Sequence, residues 1–284
     1  MIKTAILDHI VINVGSRMDR AHNLFADLGF HLTPRGHHTL GSINHLMMFP
    51  GEYLELLGLP DNAADLRPEL AGAPVGLNGL VFKSDDIDAT YAHLQSVGLA
   101  GYPPKSFSRP VALSDGTVRD ACFRTVAVRP DRFAAGRLYF CEHVTPDLLW
   151  RSEWQFHENG VTGFRELLIV AQDPEIIASR LFRAIGARRD KPADTGESSE
   201  IVIDLSARMT LRIQTPAAYQ DQFGDLARRM DGRSAMFGGV RFHIEDMSET
   251  ERVLNVQEIL YHTISPDSIA VSNDAFDTLL LFSH

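Results

Sequence analysis

The hydrophobic pattern of residues 6–14 alternates with a period of two, which predicts a β-strand. The apolar face of this strand carries Ile10, Ile12 and Val14. The opposite face carries His9, Val11 and Asn13. Such a strand packs one face on a helix and turns the other towards a more polar space. His9 is therefore either a ligand-lining residue or a buried histidine with a hydrogen-bond partner, and the pattern leaves both interpretations open.

A helix and three short strands are predicted after this first strand. Residues 18–28 place apolar side chains at helical spacing, and Gly29 stands at the position of a C-terminal cap. Apolar runs separated by glycine and proline then predict strands at residues 30–34, 44–49 and 53–59. The order of this unit is βαβββ.

The same spacing recurs in the second half of the chain. His9 lies 20 positions before Gly29 and 46 positions before Glu55. Glu166 lies 20 positions before another glycine and 46 positions before Arg212, with a similar apolar pattern around each residue. These intervals predict that the two segments are copies of one structural unit.

Two further copies of the unit are predicted. In the third copy Asn78 precedes Gly98 by 20 positions, and the last strand is predicted at residues 137–143. The fourth copy is more degraded, begins at Gly238 and ends with a strand at residues 277–284. Four modules in two pairs are the simplest arrangement.

The pattern resembles the vicinal oxygen chelate superfamily, which includes glyoxalases, extradiol dioxygenases and fosfomycin-resistance proteins. The sequences LDHIVINV, GHHTLGSINHLMMF and EYLELLGL make the N-terminal half most similar to its glyoxalase-like branch. The resemblance implies an α+β fold, in which four βαβββ modules pair into two domains, each a cupped mixed sheet with helices outside. We expect a glyoxalase-like domain at residues 1–146 and a degenerate one at residues 161–284, with the boundary in residues 144–160.

The resemblance also implies a metal site. In the superfamily, ligands to a divalent ion come from the first and last strands of paired modules. The matching positions here are His9, Glu55, Asn78 and Glu142. His9, Glu55 and Glu142 would suit zinc, nickel, manganese or iron, with open positions for substrate oxygens. Asn78 is a departure, because an amide is a weak ligand where metal-dependent relatives commonly have histidine, and it is instead a candidate for substrate binding.

A purely structural role for the same residues is also open. His9 and Glu55 on neighbouring strands could form a hydrogen-bonded polar pair inside the cup. Glu142 could be a solvated carboxylate at the rim, because a shift of one residue in strand register reverses the face.

A second cluster lies between the first helix and Glu55. His37 and Asn44 match the H-x-x-x-G-x-x-N pattern of the glyoxalase-like branch, so we favour them over His38 and His45 as substrate-binding residues. Imidazoles beside a cavity orient a carbonyl or act as general acid or base, which makes His37 a catalytic candidate. A capped turn, in which Asn44 and a histidine bond loop backbone, is the alternative.

Composition and charge limit the partners. The net charge is -10 and the pI is about 5.6, so nucleic acids and anionic membranes would repel the chain and small molecules are the expected ligands. Cys122 and Cys141 are not in a CxxC pair, and no stretch approaches the ~20 apolar residues of a membrane span, which favours a cytoplasmic location. Paired modules complete each cup within one chain, so monomer and homodimer are both open.

The predicted function is binding of a small oxygenated substrate in the N-terminal cup, by a metal-dependent isomerase or lyase of the glyoxalase type. Glu55 and Glu142 are the candidate bases for proton abstraction beside a carbonyl. The alternative is a non-catalytic protein that binds or sequesters a small molecule. An extradiol-type dioxygenase ranks lower, since Asn78 does not supply the second histidine that its iron or manganese usually has. In the second domain, we predict that Glu166 and Arg212 form an ion pair, which opposes metal binding there.

Overall fold

The computed structural model describes residues 5–61, 63–113, 115–187 and 199–284, and these form two mixed β-sheets. The strands of the first sheet are β1 (Leu7–Gly15), β2 (Gly36–His37), β3 (Ile43–Phe49), β4 (Glu52–Gly58), β5 (Gly76–Lys83), β6 (Lys105–Ala112), β7 (Val118–Ala127) and β8 (Arg137–His143). The α-helices in this half are α1 (Met18–Asp27), α2 (Pro68–Ala71) and α3 (Ile87–Ser96).

The second sheet follows after residues 144–160, which contain two 3-10 helices (Pro146–Leu148 and Ser152–Trp154) and connect the halves. Its strands are β9 (Val161–Ala171), β10 (Glu200–Asp204), β11 (Thr210–Gln214), β12 (Ala235–Ile244), β13 (His262–Ser265), β14 (Ser268–Asn273) and β15 (Thr278–Ser283). Its α-helices are α4 (Pro174–Ile185), α5 (Pro216–Phe223) and α6 (Met247–Val256). Across the described ranges, no helix is long and apolar enough to cross a membrane.

The predicted α+β fold of βαβββ modules is confirmed. The modules that begin with β1, β5 and β12 each have one strand, a helix and three further strands, and in the module that begins with β9 the elements β9, α4, β10 and β11 are described. The glycines at the 20-residue interval end helices: Gly29, Gly98 and Gly186 have φ values of 84°, 68° and 68°. This left-handed conformation favours glycine. The 20-residue interval is therefore the separation in sequence between the first strand of a module and the glycine that ends its helix.

One predicted strand is wrong. Residues 30–34 are not in a strand, and the second strand of the first module is the two-residue β2. The backbone N–H of Thr33 donates to the Leu46 carbonyl at 2.9 Å, but the N–H of Leu46 donates to the Thr33 hydroxyl at 3.0 Å. The side chain of Thr33 thus replaces the backbone acceptor, so a regular ladder does not form there.

The first sheet curls until its edges meet. Its order is β2-β3-β4-β1-β5-β8-β7-β6, with β1 parallel to β4 and antiparallel to β5. Thr39 N–H donates to the Ser108 carbonyl at 2.9 Å, and Ser108 N–H donates to the Thr39 hydroxyl at 3.1 Å. The sheet is therefore nearly a barrel, and we call its concave face, with the side chains on it, the N-terminal cup.

The two faces of β1 belong to different cores, as its alternation predicts. Ile10, Ile12 and Val14 lie in a large core that α1, α3 and both sheets share. Val11 lies in a separate apolar cluster on the cup side, together with residues of β3, β4, β5, β7 and β8. Both faces are buried, so a polar side chain on this strand needs a protein or ligand partner.

Phe242 joins the two halves through aromatic contacts. It is fully buried, and its ring centroid lies 5.2 Å from Phe30 and 6.2 Å from Phe49 of the first half. It also lies 5.7 Å from Phe164 and 5.5 Å from Phe282 of the second half. One side chain thus packs against both sheets.

We expect Phe242→Ala to lower the free energy of unfolding by about 3–5 kcal/mol, because it leaves a cavity where four aromatic rings meet. Urea unfolding followed by far-UV circular dichroism measures this change. The exposed Val256→Ala is the control and should shift the free energy by less than about 0.5 kcal/mol. A loss at Phe242 no larger than that of the control would show that the two halves do not depend on this contact.

Candidate functional site

A β-bulge at the start of β1 places a carboxylate beside His9. The register between β1 and β5 shifts between Leu7 and His9, which interrupts the alternation of side chains. The Asp8 Oδ2 atom lies 2.8 Å from His9 Nδ1 and 2.8 Å from Nε2 of His143 on β8. Asp8 is fully buried and accepts a hydrogen bond from each imidazole.

These two hydrogen bonds outweigh burial in setting the charge of Asp8. Burial alone would raise its pKa, but the hydrogen bonds from His143 and His9 hold the pKa well below the ordinary value. The carboxylate is therefore ionised. Because it accepts the Nδ1–H of His9, it fixes the tautomer in which Nε2 carries the lone pair.

The Nε2 atom of His9 faces the cup. It lies 3.2 Å from the Tyr139 hydroxyl on β8 and 3.6 Å from the Oε2 atom of Glu55 on β4. The ring of Tyr53 stacks on the imidazole, with 4.4 Å between centroids. Burial raises the pKa of Tyr139, so its phenol stays protonated and donates to Nε2. His9 is thus held on three sides.

Glu55 extends the network towards β3 and β2. The Asn44 amide donates to Glu55 Oε1 at 2.7 Å and lies 3.3 Å from His38 Nε2. The His38 Nδ1 atom lies 2.9 Å from the Ser42 hydroxyl. Burial lowers the pKa of His38 to about 4, so this imidazole is neutral at neutral pH. Glu55 thus connects His9 to Asn44 and His38, and the role of Asn44 in substrate binding stays a prediction.

His37 does not reach the cup. It pairs with Ile43 and its side chain is exposed, whereas the preceding residue, Gly36, pairs with Asn44 on the cup side. His38 is one residue further along and returns to the cup. The preference for His37 as a catalytic and substrate-binding residue is therefore wrong by one position, which is enough to reverse the face of a strand.

Glu142 also lies on the wrong face for the predicted site. It is half-buried and receives a hydrogen bond from Arg124, 3.4 Å away, on the side of α3. The neighbouring Cys141 belongs to the apolar cluster of the cup. The cup-facing residues of β8 are instead Arg137, Tyr139, Cys141 and His143. Glu142 is thus excluded as a ligand or base together with His9.

Asn78 lies near the cup but is bonded to the protein. It is buried in the bulge of β5 opposite β1, and its Oδ1 atom accepts a hydrogen bond from Arg137 Nε at 2.6 Å. Arg137 in turn lies over the ring of Tyr139, 5.6 Å from the centroid. Asn78 therefore orients an arginine of the cup, and contact with a substrate stays a prediction.

The donors present do not fit the predicted metal site. His9 and Glu55 supply two ligands, and Glu142 is on the other face, so the three-ligand set is incomplete. The described residues hold one group of three close donors, Asp8, Cys141 and His143, with ligand atoms within 4.8 Å of one another. A metal there would break the hydrogen bonds that hold His9 and ionise a thiol whose pKa burial raises. We derive no metal-dependent step.

Several buried polar atoms of the cup have no partner among the described residues. Such atoms are costly to bury, and in a functional site they mark the position of a ligand. They are Asp8 Oδ1, Asn44 Oδ1, Arg109 Nη2, Arg137 Nη2 and His143 Nδ1. They combine donors and acceptors, as a small oxygenated ligand requires.

Two segments cover the cup. The Asn13 amide donates to the carbonyls of Leu70, Ala73 and Pro74, at 3.1–3.3 Å, and thereby holds the segment that contains α2. At the other end, Trp150 stacks on His143 with 5.5 Å between ring centroids. The polar network is thus enclosed by apolar walls, which strengthens its electrostatic interactions.

The corresponding space in the second half is filled by protein. Tyr219 and Phe223 of α5 pack into the apolar cluster of β9, β12 and β15, and the Tyr219 hydroxyl donates to the Gly238 carbonyl at 2.6 Å. The predicted ion pair is confirmed, because Arg212 Nε lies 2.7 Å from Glu166 Oε1. Arg241 also contacts Glu166, at 3.4 Å. Within the described residues, α5 therefore covers the concave face of the second sheet.

Sequence reasoning missed four important residues of the cup. They are Asp8, His38, Arg109 and Tyr139. Asp8 was detectable only as a charged residue in an apolar strand, since the bulge that turns it towards the cup has no local signal. Arg109 and Tyr139 come from strands whose partners are distant in sequence.

We expect Asp8→Asn to lower the free energy of unfolding at pH 7 by about 3 kcal/mol, because a buried carboxylate bonded to two imidazoles is lost. Since the pKa of Asp8 is lower in the folded chain, its contribution is complete above the ordinary value of 3.8 and is lost as the pH falls below it. Urea unfolding between pH 7 and pH 3 measures the difference from wild type.

The exposed Asp225→Asn is the matched control and should show no such difference at any pH. A gap between wild type and Asp8→Asn that stays constant, or widens, as the pH falls towards 3 would contradict an ionised Asp8.

Comparison with known proteins identifies the family. The model of the glyoxalase-like domain family matches residues 7–185. No curated protein matches the chain in sequence. A hypothetical protein from Staphylococcus aureus has a similar structure, with a TM-score of 0.63 and 12% identity, over 98% of this chain and 99% of its own.

Two other solved structures share the fold. A mutant of 4-hydroxymandelate synthase from Streptomyces coelicolor has a TM-score of 0.60 and 12% identity, over 98% of this chain and 92% of its own. A fusion protein of a xylose isomerase-like TIM barrel and 4-hydroxyphenylpyruvate dioxygenase has a TM-score of 0.56 and 11% identity, over 99% of this chain and 49% of its own. The predicted vicinal oxygen chelate fold is confirmed, and the chain belongs to the glyoxalase-like domain family.

Proposed function

We propose that this protein is a glyoxalase-like enzyme that binds a small oxygenated substrate in the N-terminal cup and moves a proton on it, in an isomerase or lyase reaction. The observation that supports this most is the set of unpartnered buried polar atoms around His9 and Glu55. Each such atom costs about 1–3 kcal/mol when it is left unbonded, and a ligand that bonds to it would remove this cost.

His9 is the proposed general base or acid. Asp8 holds Nδ1–H, so the Nε2 lone pair points into the cup, where Tyr139 is its protein partner. A substrate that displaces the Tyr139 hydroxyl from Nε2 could receive its hydrogen bond at a carbonyl oxygen, while His9 takes the proton from the adjacent carbon. Asp8 does not touch the substrate and acts as a positioning residue.

Glu55 is the second acid–base group. Its Oε1 atom is held by the Asn44 amide, and its Oε2 atom lies on the His9 side of the cup. A proton taken at one carbon can be returned at the neighbouring oxygen or carbon by a second group, as isomerisation of a hydroxycarbonyl compound requires. The pair of His9 and Glu55 supplies both groups without Glu142.

A protein that binds the same ligand without turnover is the alternative. The cover over the cup, held by Asn13 and Trp150, favours retention of a ligand and is consistent with both functions. Proton exchange distinguishes them, since only an enzyme exchanges a carbon-bound proton of its ligand with solvent.

We expect the wild-type protein to exchange a carbon-bound proton of pyruvate, phenylpyruvate or mandelate in D₂O faster than buffer, as followed by ¹H NMR. His9→Gln and Glu55→Gln should each reduce this rate by about 10²–10⁴-fold, the usual contribution of general acid–base catalysis. Glu142→Gln is the matched control, because this carboxylate faces away from the cup.

Equal losses in Glu142→Gln and Glu55→Gln would contradict the assignment of the base. If the wild type bound a probe but did not exchange its proton, the result would favour a binding protein over an enzyme.

A further inference from the structure

Arg109 is an unusual residue to find in the cup. It lies on β6 and is 3% exposed, yet its guanidinium has no hydrogen bond or ion pair with any described residue. Glu55 and the Tyr53 phenol are close enough to act on its charge, but neither forms a contact with it. A buried charge without a bonded partner is strongly unfavourable, so the position is not explained by stability.

The side chain of Arg109 lies close to Gly36. A Cβ atom at Gly36 would lie 2.9 Å from Arg109 Cδ, 2.9 Å from Arg109 Nη1 and 2.3 Å from Asn44 Oδ1. The absence of a side chain at Gly36 thus lets Arg109 lie against β2 and Asn44. Its Nη2 atom and the Oδ1 atom of Asn44 are both buried and unpartnered.

The other two arginines of the cup are bonded to protein groups. Arg67 is bonded to Glu69 and Ser42, and Arg137 is bonded to Asn78 through Nε. The Nη2 atom of Arg137 is buried and unpartnered, like that of Arg109. Asp8 is occupied by two imidazoles, and Glu55 is the carboxylate that acts on the charge of Arg109.

We propose that the substrate of the cup carries a carboxylate group, and that Arg109 binds it and sets the specificity for anionic substrates. This inference rests on the proposed function. The planar guanidinium matches a carboxylate in a two-bond geometry. A single negative charge fits better than a phosphate dianion, because Glu55 already contributes negative charge nearby.

The walls of the cup indicate the rest of the ligand. Apolar and aromatic side chains surround the polar network, including Tyr53, Phe107, Phe123 and Trp150. His38 contacts Phe107 edge to face, with 5.2 Å between ring centroids. A carboxylic acid with a neighbouring oxygen and an apolar or aromatic body satisfies both parts of the cup.

The test compares mandelate with mandelamide, which replaces the carboxylate by a neutral amide of the same shape. Isothermal titration calorimetry gives the Kd of each compound for wild type, Arg109→Met and Arg109→Lys. We expect wild type to bind mandelate about tenfold or more tightly than mandelamide, and Arg109→Met to lose this preference. Arg109→Lys should recover part of it. Arg119→Met, at an exposed position of β7, is the control and should match wild type.

Thermal unfolding without ligand shows whether the Arg109→Met variant has a folding defect. Because the buried charge has no bonded partner, Arg109→Met should have a Tm equal to or above that of wild type. A fall of several degrees would identify Arg109 as a structural residue and overturn the proposal.

Three other results would also overturn it. If wild type bound mandelate and mandelamide with equal affinity, and His9→Gln bound neither, the proposed function would be retained but the substrate would not need a carboxylate. Binding of inorganic phosphate in place of mandelate would assign Arg109 to another anion. Binding of none of these probes to wild type would count against both the carboxylate and the proposed function.

Discussion

The burial of β1 on both faces is the constraint on which the site depends. The strand lies in the middle of the first sheet, between β4 and β5, with a shared core on one side and the cup on the other. A polar side chain here cannot be solvated, so it must be bonded. Asp8 and His9 meet this requirement through each other and through His143 and Tyr139. These hydrogen bonds satisfy the buried polar side chains of the strand, and they also fix the tautomer of His9.

The two halves share one fold but differ in what lies on the concave face of the sheet. In the first, the concave face encloses a network of ionisable groups and is covered by segments at its ends. In the second, α5 fills the concave face, and Glu166 is neutralised by Arg212 and Arg241. In the first half, unpartnered donors and acceptors gather around His9 and Glu55, among them Asp8 Oδ1, Asn44 Oδ1 and Arg109 Nη2. The first half thus carries the candidate cup, and in the second half α5 covers the equivalent face.

The sequence was sufficient for the fold because its signals are periodic. Alternation on β1, helical spacing in α1 and the glycines that end the helices all depend on the residue's own neighbours. The site depended on details that lack such signals. A single bulge turns Asp8 towards the cup. An error of one residue in register led to the choice of His37 in place of His38. An error of the same kind placed Glu142 on the same face as His9.

The failures share one physical cause. A strand assigns its side chains to faces by parity, so an error of one residue in register is an error of face, and local sequence does not fix register to that accuracy. His9 and Glu55 lie close together because both stand at the repeated interval of 46 residues, which relates the first strand of the module to its last. No repeat constrains β6, so Arg109 had no signal before the edges of the sheet were seen to meet.

That closure explains why an unpaired arginine can persist. The edge strands β2 and β6 are held together by the bonds between Thr39 and Ser108, and this brings Arg109 over Gly36. The surrounding contacts, not the guanidinium, hold the sheet closed. The stability of the shared aromatic core therefore tolerates an unfavourable charge in the cup, and a ligand that neutralises this charge would gain the interaction energy that the folded protein leaves unused.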